Sequence, residues 1–450
     1  MSTLIRRASL VLLLISAPTL AAEKPNIVFL LADDLGWKDV GYHGSTIKTP
    51  NLDALAKSGS RLEQFYVMPV CGPTRACLMT GRYPIRTGLQ SGVVRPWSTF
   101  GLPLDERTLA DALKEAGYFT AICGKWHLGS AKKAYLPKQR GFDHQYGHYV
   151  GALDYFTHER MGGLDWHRNG KVLREEGYTT DLIGKEAVSL IQKHEQKKPL
   201  FLYVPFNAPH TPLQAPKSYL DRYQKVKQKK RRIFSAMVTC LDDAIGEIVE
   251  ALKKRKMMKN TVIIFSSDNG GPTKLGARNG PLRGGKGTLF EGGVRVTAFA
   301  HWEGKLKSQD VNEPLHMVDW YPTLLKLANA KTEQKKPLDG KDIWPVLTEG
   351  KATPHKEILL NVEPHRGAIR MGDWKLKVEG QLPRPMDGIG LTRGVALYNL
   401  KKDLGEKMDV SRGNFAKVRE LMTRLNAYAR EAVPPKGGKQ DQLPTDVEVP

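Results

Sequence analysis

Cysteine is scarce in this chain, which has only four cysteines among its 450 residues. Four are too few for a disulfide framework that could stabilise a chain of this length, so the fold must depend on a hydrophobic core. Hydrophobic residues make up 40% of the sequence, which is typical of a globular protein with room for one large domain and a smaller one.

Long hydrophobic runs are also missing beyond the N-terminal segment. No later stretch approaches the ~20 apolar residues that a membrane-spanning helix needs, so we predict no stable membrane span. Residues 1–22 have the pattern of a secretory signal peptide: Arg6 and Arg7 precede the apolar run Leu10–Ile15, and Ala21-Ala22 offers a cleavage point. We therefore expect export to the periplasm or the extracellular space; an uncleaved N-terminal anchor is the alternative.

Acidic residues are few relative to basic ones, since 47 Asp and Glu against 69 Lys and Arg give a net charge of +22. This charge favours an acidic partner: a sulfated polysaccharide, a nucleic acid or an anionic surface. A nucleic acid is disfavoured, because the chain has no zinc-finger, RNP or helix-turn-helix pattern and its basic residues are scattered apart from residues 225–232. That run is more typical of a solvated loop and helix start than of a binding patch.

Apolar runs typical of buried strands alternate with amphipathic helices through residues 23–345. This order predicts an α/β fold in which helices sandwich a large mixed, mostly parallel sheet. The predicted strands are 26–32, 118–123, 200–206 and 261–267, and the predicted helices are 49–59, 105–117, 179–196 and 229–256.

The pattern changes after residue 345. Residues 346–433 contain short strands at 357–362, 367–371, 374–378 and 396–400, followed by a helix at 415–433. We expect a small C-terminal antiparallel sheet subdomain with one helix, and a loose tail over residues 434–450, which are rich in Pro, Gly, Lys and Asp.

The most informative motif is Cys71-Gly72-Pro73-Thr74-Arg75. Pro73 suits the first turn of a helix, which places Cys71 at the positive end of the helix dipole, where backbone N–H groups receive anions. Arg75 lies one turn further and offers a permanently charged, forked set of donors. This geometry suits a nucleophile that holds a sulfate or phosphate group; a half-buried structural cysteine is the alternative.

Oxygen-bearing side chains follow two of the predicted strands. Asp33 and Asp34 end the first strand, and Asp268 and Asn269 end the strand at 261–267. Ligands gather outside the carboxyl ends of strands in an open α/β sheet, and adjacent carboxylates repel each other unless a cation joins them. Four oxygen donors and no soft ones predict a hard cation, Ca²⁺ or Mg²⁺. A helix cap or a turn is the alternative for the Asp33-Asp34 pair.

Three loops add groups for proton transfer and for binding an anion. His210 stands between two prolines in a rigid loop and suits proton transfer near neutral pH. Lys125 and His127 would point to the same face in extended backbone. Lys286 is flanked by glycines, so it can approach an anion closely, although its segment does not match a P-loop. An ordinary loop is the alternative for each.

Together these motifs resemble the formylglycine-dependent sulfatases of the alkaline-phosphatase superfamily, from about residue 24 to about residue 347. Within that family the likeness is greatest to the arylsulfatase B, or N-acetylgalactosamine-4-sulfatase, type. Segments 31–45, 80–90, 140–160 and 282–295 carry it. The resemblance implies a sulfuric ester hydrolase that removes sulfate from a hexosamine or galactose unit of a sulfated carbohydrate, with subsites in loops 92–104, 150–180 and 365–395.

The resemblance also implies the cofactors. A formylglycine-generating maturation enzyme oxidises Cys71 to 3-oxoalanine (formylglycine), and the hydrated aldehyde is the nucleophile. At most one disulfide can then form among Cys77, Cys123 and Cys240. The implied metal is Ca²⁺, with Mg²⁺ as the alternative, and its ligands are an oxygen of modified Cys71 and the side chains of Asp33, Asp34, Asp268 and Asn269.

The remaining residues have implied catalytic roles. Arg75 and Lys125 stabilise the anionic form of the nucleophile. His127 assists the later proton removal that releases sulfate. His210 and Lys286 hold the sulfate and help the leaving alcohol depart, and His210 is the better candidate for the general acid.

Two other functions stay open. One is a phosphate or phosphonate ester hydrolase on the same scaffold. The other is an exported, non-catalytic binder of acidic glycans, which the positive charge favours. The intact catalytic set argues against the binder, because a binder has no use for Cys71 or for the carboxylate pairs.

Overall fold

The computed structural model describes residues 24–380 and 394–437. The predicted signal peptide and residues 438–450 of the predicted tail lie outside the described residues. Within them, the strands are β1 Asn26–Ala32, β2 Ser60–Leu62, β3 Phe65–Tyr66, β4 Phe119–Cys123, β5 His144–Gly147, β6 Glu159–Arg160, β7 Gly163–Leu164, β8 His167–Arg168, β9 Lys171–Val172, β10 Leu200–Pro205, β11 Thr261–Ser267, β12 Arg295–Val296, β13 Ala298–His301, β14 Gln309–Val311, β15 Leu315–His316, β16 Ile358–Glu363, β17 Arg366–Met371, β18 Trp374–Glu379 and β19 Val395–Asn399. The α-helices of the same ranges are α1 Pro50–Ser58, α2 Cys71–Thr80, α3 Leu109–Glu115, α4 Thr179–Lys193, α5 Lys217–Asp221, α6 Lys229–Lys254, α7 Glu291–Val294, α8 Trp320–Leu327, α9 Trp344–Glu349 and α10 Phe415–Glu431.

The predicted α/β fold with a large mixed sheet is confirmed. Its strand order is β14-β2-β13-β11-β1-β10-β4-β5-β8-β9, and the five central strands from β11 to β5 are parallel. β1 lies between β10 and β11, with Leu31 opposite Pro205 and Ala32 opposite Ser267. The carboxyl ends of these three strands therefore meet at one edge of the sheet.

Helices cover both faces of the sheet, which explains why β1 is apolar at every position after Asn26. Ile27, Phe29 and Leu31 belong to the core shared with α2, α3 and α8. The alternate residues of β1, from Val28 to Ala32, belong to the core shared with α1, α4 and α6. All of these β1 side chains are fully buried, and each large one contributes about 1.5–3 kcal/mol to stability.

The predicted C-terminal antiparallel sheet is also confirmed. It has the order β16-β17-β18-β19, and Gly372, with φ +56°, forms the turn between β17 and β18. α10 packs on this sheet through Val418, Leu421 and Leu425. Beyond α10 the backbone N–H of Lys436 donates to the carbonyl oxygen of Gly88 at 2.8 Å, so the first residues of the predicted tail lie against the large domain.

Two helix boundaries differ from the prediction by three residues or more. α4 ends at Lys193 rather than at residue 196. α3 begins at Leu109 rather than at residue 105, because Thr108 and Asp111 form a capping box there. The backbone N–H of each residue donates to the side-chain oxygen of the other, at 3.0 Å in both directions.

The four cysteines are unpaired and buried. No helix of residues 24–380 and 394–437 combines the length and the apolar character that crossing a bilayer requires.

Candidate active site

Four carboxylate and amide side chains meet where β1 and β11 end. Asp33 and Asp34 follow β1, Asp268 and Asn269 follow β11, and all four are buried. The amide nitrogen of Asn269 donates to Asp34 Oδ1 at 2.7 Å, and the backbone N–H of Asp34 donates to Asp268 Oδ1 at 3.3 Å. Asp34 has left-handed backbone, with φ +71°, which is uncommon for a residue other than glycine and is typical of functional sites.

Cys71 lies at the first position of α2 and faces these carboxylates. Its side chain is buried, with 2% of its surface exposed. One donor atom from each of Asp33, Cys71 and Asp268 lies within 4.8 Å of the other two. Burial raises the pKa of the Cys71 thiol, so the unmodified residue is protonated at neutral pH.

Arg75 lies one turn into α2 and is completely buried. Its guanidinium donates to Asp268 Oδ2 at 2.8 Å, to Asp33 Oδ2 at 3.1 Å and to the carbonyl oxygen of Lys125 at 3.0 Å. The sequence led us to expect Arg75 beside residue 71. The structure also shows that Arg75 links the residues that follow β1 and β11, because it donates to both Asp33 and Asp268.

Lys125 follows β4, and its ammonium group pairs with Asp33 Oδ2. Burial alone would raise the pKa of Asp33, but the positive charges of Lys125, His210 and Arg75 hold it well below its usual value. Burial and the negative charge of Asp33 raise the pKa of Asp268. Cations thus keep Asp33 ionised, and Asp268 is the carboxylate that binds a proton more readily.

His127 reaches Cys71 by a backbone conformation that the sequence did not predict. Its φ is +61°, rather than the extended backbone that we expected. Nε2 donates to the carbonyl oxygen of Val94 at 2.9 Å, which leaves Nδ1 as an acceptor 3.4 Å from Cys71 Sγ. Burial, followed by the charges of Lys125 and Arg75, lowers the pKa of His127 well below its usual value. A neutral imidazole therefore faces residue 71, ready to accept a proton.

His210 and Lys286 lie beside Asp34. Lys286 Nζ lies 2.7 Å from Asp34 Oδ1. Burial alone would lower the pKa of this lysine, but the neighbouring acidic groups, with Asp34 the strongest of them, together raise it. His210 Nδ1 donates to the carbonyl oxygen of Thr211 at 2.7 Å, so Nε2 faces the site, 3.7 Å from Asp34 Oδ2. Burial lowers the pKa of His210.

Two buried oxygens in the centre of the site fit a hard cation. Asp33 Oδ1 and Asn269 Oδ1 have no hydrogen-bond partner among the described residues, although polar atoms buried this deeply are normally paired. Asn269 uses its amide nitrogen for Asp34 and for the carbonyl oxygen of Gly270, which leaves its oxygen available. Oxygen donors of this kind are those that Ca²⁺ and Mg²⁺ prefer.

Three contributors to the site were missed in the sequence. Val94 orients His127 through its backbone carbonyl, which no side-chain pattern could reveal. Gly151 leaves room for the same ring, since a Cβ there would lie 2.5 Å from Nε2 of His127. Asn279 accepts a hydrogen bond from the N–H of Gly271 at 2.9 Å and donates one to the carbonyl oxygen of Gly284 at 3.0 Å. It thereby joins two parts of the long connection between β11 and α7.

An α/β sheet with carboxylates at its central strand ends, facing a helix N-terminus and a ring of cations, is typical of metal-dependent ester hydrolases. The Sulfatase family model matches residues 25–330. Arylsulfatase J from Mus musculus is 38% identical, over 93% of this chain and 78% of the relative. N-acetylgalactosamine-6-sulfatase from Rattus norvegicus is 35% identical, over 78% of this chain and 71% of the relative. The crystal structure of Ps i-CgsB in complex with k-i-k-neocarrahexaose is similar with a TM-score of 0.84 and 37% identity, over 92% of this chain and 94% of that chain.

The chain belongs to the sulfatase family and is a sulfuric ester hydrolase. The predicted family is thereby confirmed. The predicted likeness to arylsulfatase B is only approximate, because similar relatives include arylsulfatase J, arylsulfatase A and N-acetylgalactosamine-6-sulfatase.

Proposed function

We propose that this sulfatase removes sulfate from a sulfated carbohydrate with a formylglycine at position 71 and a bound Ca²⁺. The observation that carries the proposal is the position of Cys71, which is buried at the start of α2 with its sulfur among the carboxylates of Asp33 and Asp268. Catalysis is assigned to residues 23–345, and residues 346–433 form the supporting subdomain.

Asp33, Asp34, Asp268 and Asn269 would hold the metal, together with an oxygen of the modified residue 71. Bound there, Ca²⁺, or Mg²⁺ in its place, would neutralise negative charge on the sulfate. The hydrated aldehyde would supply an oxygen nucleophile, with a second hydroxyl on the same carbon.

The remaining side chains would move protons and hold charge. Arg75 and Lys125 would stabilise negative charge at residue 71. His127 would accept a proton at Nδ1, the nitrogen that faces residue 71. His210, when protonated on both ring nitrogens, would give the proton on Nε2 to the leaving alcohol, and Lys286 would hold the sulfate beside it.

The substrate in this proposal is a sulfated hexosamine or galactose unit. Two relatives support it: one is named for N-acetylgalactosamine 6-sulfate chemistry, and the other was crystallised with k-i-k-neocarrahexaose. Loops 92–104, 150–180 and 365–395 would select the sugar, although residues 381–393 lie outside the described part of the chain. The proposal also includes a formylglycine-generating partner enzyme and export by the signal peptide.

The test uses protein produced with and without a formylglycine-generating enzyme. Mass spectrometry of the peptide that contains residue 71 measures the aldehyde fraction, and turnover of 4-nitrophenyl sulfate and 4-nitrophenyl phosphate is followed in parallel. We expect sulfate turnover to rise in proportion to the aldehyde, and Cys71→Ala to have none. Full turnover by protein with an intact thiol would refute the aldehyde, and preferential phosphate turnover by fully modified protein would refute the sulfate ester as the preferred substrate.

A panel of sulfated oligosaccharides with defined sulfate positions then identifies the sugar. Release of sulfate from a galactose or hexosamine unit supports the proposed substrate. Release only from other sugars contradicts it.

A further inference from the structure

Six exposed basic side chains without a role in the proposed mechanism stand in two neighbouring segments of the large domain, the segment that leads into α6 and the loop that follows β11. We call this group the basic rim, and it consists of Lys225, Lys227, Lys229, Lys230, Lys274 and Arg278. The start of α6 packs on the loop that follows β11: Lys230 Nζ donates to the carbonyl oxygen of Lys274 at 3.4 Å, and Arg231 donates to that of Gly276 at 2.9 Å. The two groups of positive charges are therefore adjacent.

The basic rim borders the active site because of the connection from α6 to β11. α6 leads into β11, which runs in the opposite direction, so the first turn of α6 lies at the sheet edge where β11 ends. The loop that bears Lys274 starts directly after Asn269. Its residue Gly271 accepts a hydrogen bond from the backbone N–H of Lys286, at 3.4 Å.

The charges of the basic rim are not balanced within the described part of the protein. None of its six side chains forms an ion pair there, whereas Lys217 and Arg222 nearby pair with Asp221 and Asp243. The first turn of α6 contains no acidic residue. Cations at a helix N-terminus oppose the helix dipole, so these lysines do not serve the stability of α6.

We propose that the basic rim binds sulfate groups along a polysaccharide chain while one unit of that chain occupies the active site. This inference rests on the proposed function and extends it from a single sugar unit to a polymer. Long lysine side chains can reach sulfates at irregular spacing. The sequence alone favoured a solvated segment at 225–232. The lysines of the basic rim are indeed exposed, and in this proposal their position beside the active site allows them to bind the sulfated polysaccharide.

A sulfated glycan fits this surface better than a nucleic acid or a membrane. Proteins that bind single-stranded nucleic acid present aromatic rings on which bases stack, and membrane-surface segments present large apolar side chains. The large hydrophobic residues exposed in the described ranges all lie elsewhere in the sequence: Leu104, Phe156, Met161, Val172, Met408, Phe415 and Val433. Tyr223, next to the basic rim, is buried.

The test compares two charge-reversal variants of the full-length protein. The rim variant is Lys227→Glu, Lys229→Glu, Lys230→Glu. The control variant is Lys254→Glu, Lys256→Glu, Lys259→Glu, which changes the net charge equally at exposed positions around the other end of α6. The two ends of this helix are about 38 Å apart, at ~1.5 Å per residue.

Fluorescence anisotropy measures binding of labelled dextran sulfate at about 0.15 M ionic strength, with unsulfated dextran as the blank. We expect the rim variant to bind about 10-fold or more weakly than the control variant, because three cations beside the polymer become anions. Equal weakening in both variants would overturn the proposal, since the overall charge would then explain binding. Tighter binding of single-stranded poly-dT than of dextran sulfate to the wild type would also overturn it.

Turnover of 4-nitrophenyl sulfate separates this inference from the proposed function. That small substrate cannot reach the basic rim, so we expect kcat and KM within about twofold of wild type in both variants. If the wild type has no sulfatase activity but its polymer binding is weakened in the rim variant, the proposed function is contradicted and the proposed binding surface is supported. If the wild type is active but its polymer binding is the same in the rim and control variants, the proposed function is supported and the binding surface is contradicted.

Discussion

Lys375 is the centre of a buried ion cluster that joins the C-terminal sheet to the large domain. Its ammonium group lies 2.9 Å from Glu291 Oε1 and 2.9 Å from Glu406 Oε1, and all three side chains are fully buried. Glu291 Oε2 also accepts a hydrogen bond from Tyr66 at 2.7 Å. Lys375→Met keeps a side chain of similar length but removes the cation that bridges the two carboxylates, and the ion pair that remains in the described part of the chain is the longer one between Arg295 and Glu291 Oε2, at 3.7 Å.

We expect this substitution to lower the free energy of unfolding by about 3–5 kcal/mol at pH 8, the usual cost of removing one partner of a buried ion pair. Burial already raises the pKa of Glu406, and Lys375 counteracts that rise. Without Lys375 the carboxyl pair keeps a proton in the folded state that the unfolded chain releases. Stability therefore falls as the pH rises above the usual Glu pKa, and the loss is smaller at pH 5 than at pH 8.

Urea unfolding at pH 5 and pH 8, followed by tryptophan fluorescence, measures this effect. The matched control is Lys377→Met on the same strand. The ammonium group of Lys377 pairs with the exposed carboxylate of Glu379, so its loss leaves no buried carboxylate without a cation, and we expect a smaller cost than for Lys375→Met. Lys375→Met combined with Glu406→Gln should recover part of the loss at pH 8, because one charge is removed. The reasoning is refuted if Lys375→Met costs no more than the control, or if its cost is independent of pH.

Two further predictions concern the site. Removing divalent metal with a strong chelator should abolish turnover of 4-nitrophenyl sulfate, and Ca²⁺ or Mg²⁺ should restore it; full activity in protein shown to be metal-free would contradict the metal site. Gly124→Ala should lower the free energy of unfolding by more than about 3 kcal/mol, because φ is +132° and a Cβ would lie 2.0 Å from the carbonyl oxygen of Pro205. Gly117→Ala, with φ +91° and no neighbour within 4 Å, should cost only about 1–2 kcal/mol in the same urea titration, and equal costs would contradict the steric argument.

The strands that carry the site could be predicted because they are fully buried. β1 and β11 were predicted with the bounds that the structure shows. The apolar run of β1 ends directly at Asp33, and that of β11 is followed by two small serines before Asp268. The convergence of these aspartates followed from the parallel sheet alone. By contrast, the three-stranded sheet β12-β3-β15 consists of strands of two residues each, which are too short to show any periodicity.

The contacts within the site were less accessible to sequence reasoning. The left-handed backbone of Asp34 and His127 is a property of the folded loops, not of residue type, and it decides where both side chains point. The pairing of Arg75 with Asp33 and Asp268 joins residues far apart in sequence. The prediction that Arg75 serves residue 71 came from spacing along one helix, which contains no information about strand ends.

The register of β1 against β10 and β11 has a consequence for how such an enzyme can change. Leu31 is paired with Pro205 and Ala32 with Ser267, so the positions of Asp33 and Asp268 along the strand direction are set by the backbone pairing of the strands, which does not depend on side-chain identity. A slip of one residue would move a donor by about 3.3 Å and turn it to the other face. Substitutions in the surrounding loops leave that alignment intact. During evolution the loops can therefore change to accept new sugars, while the residues at the strand ends stay in place.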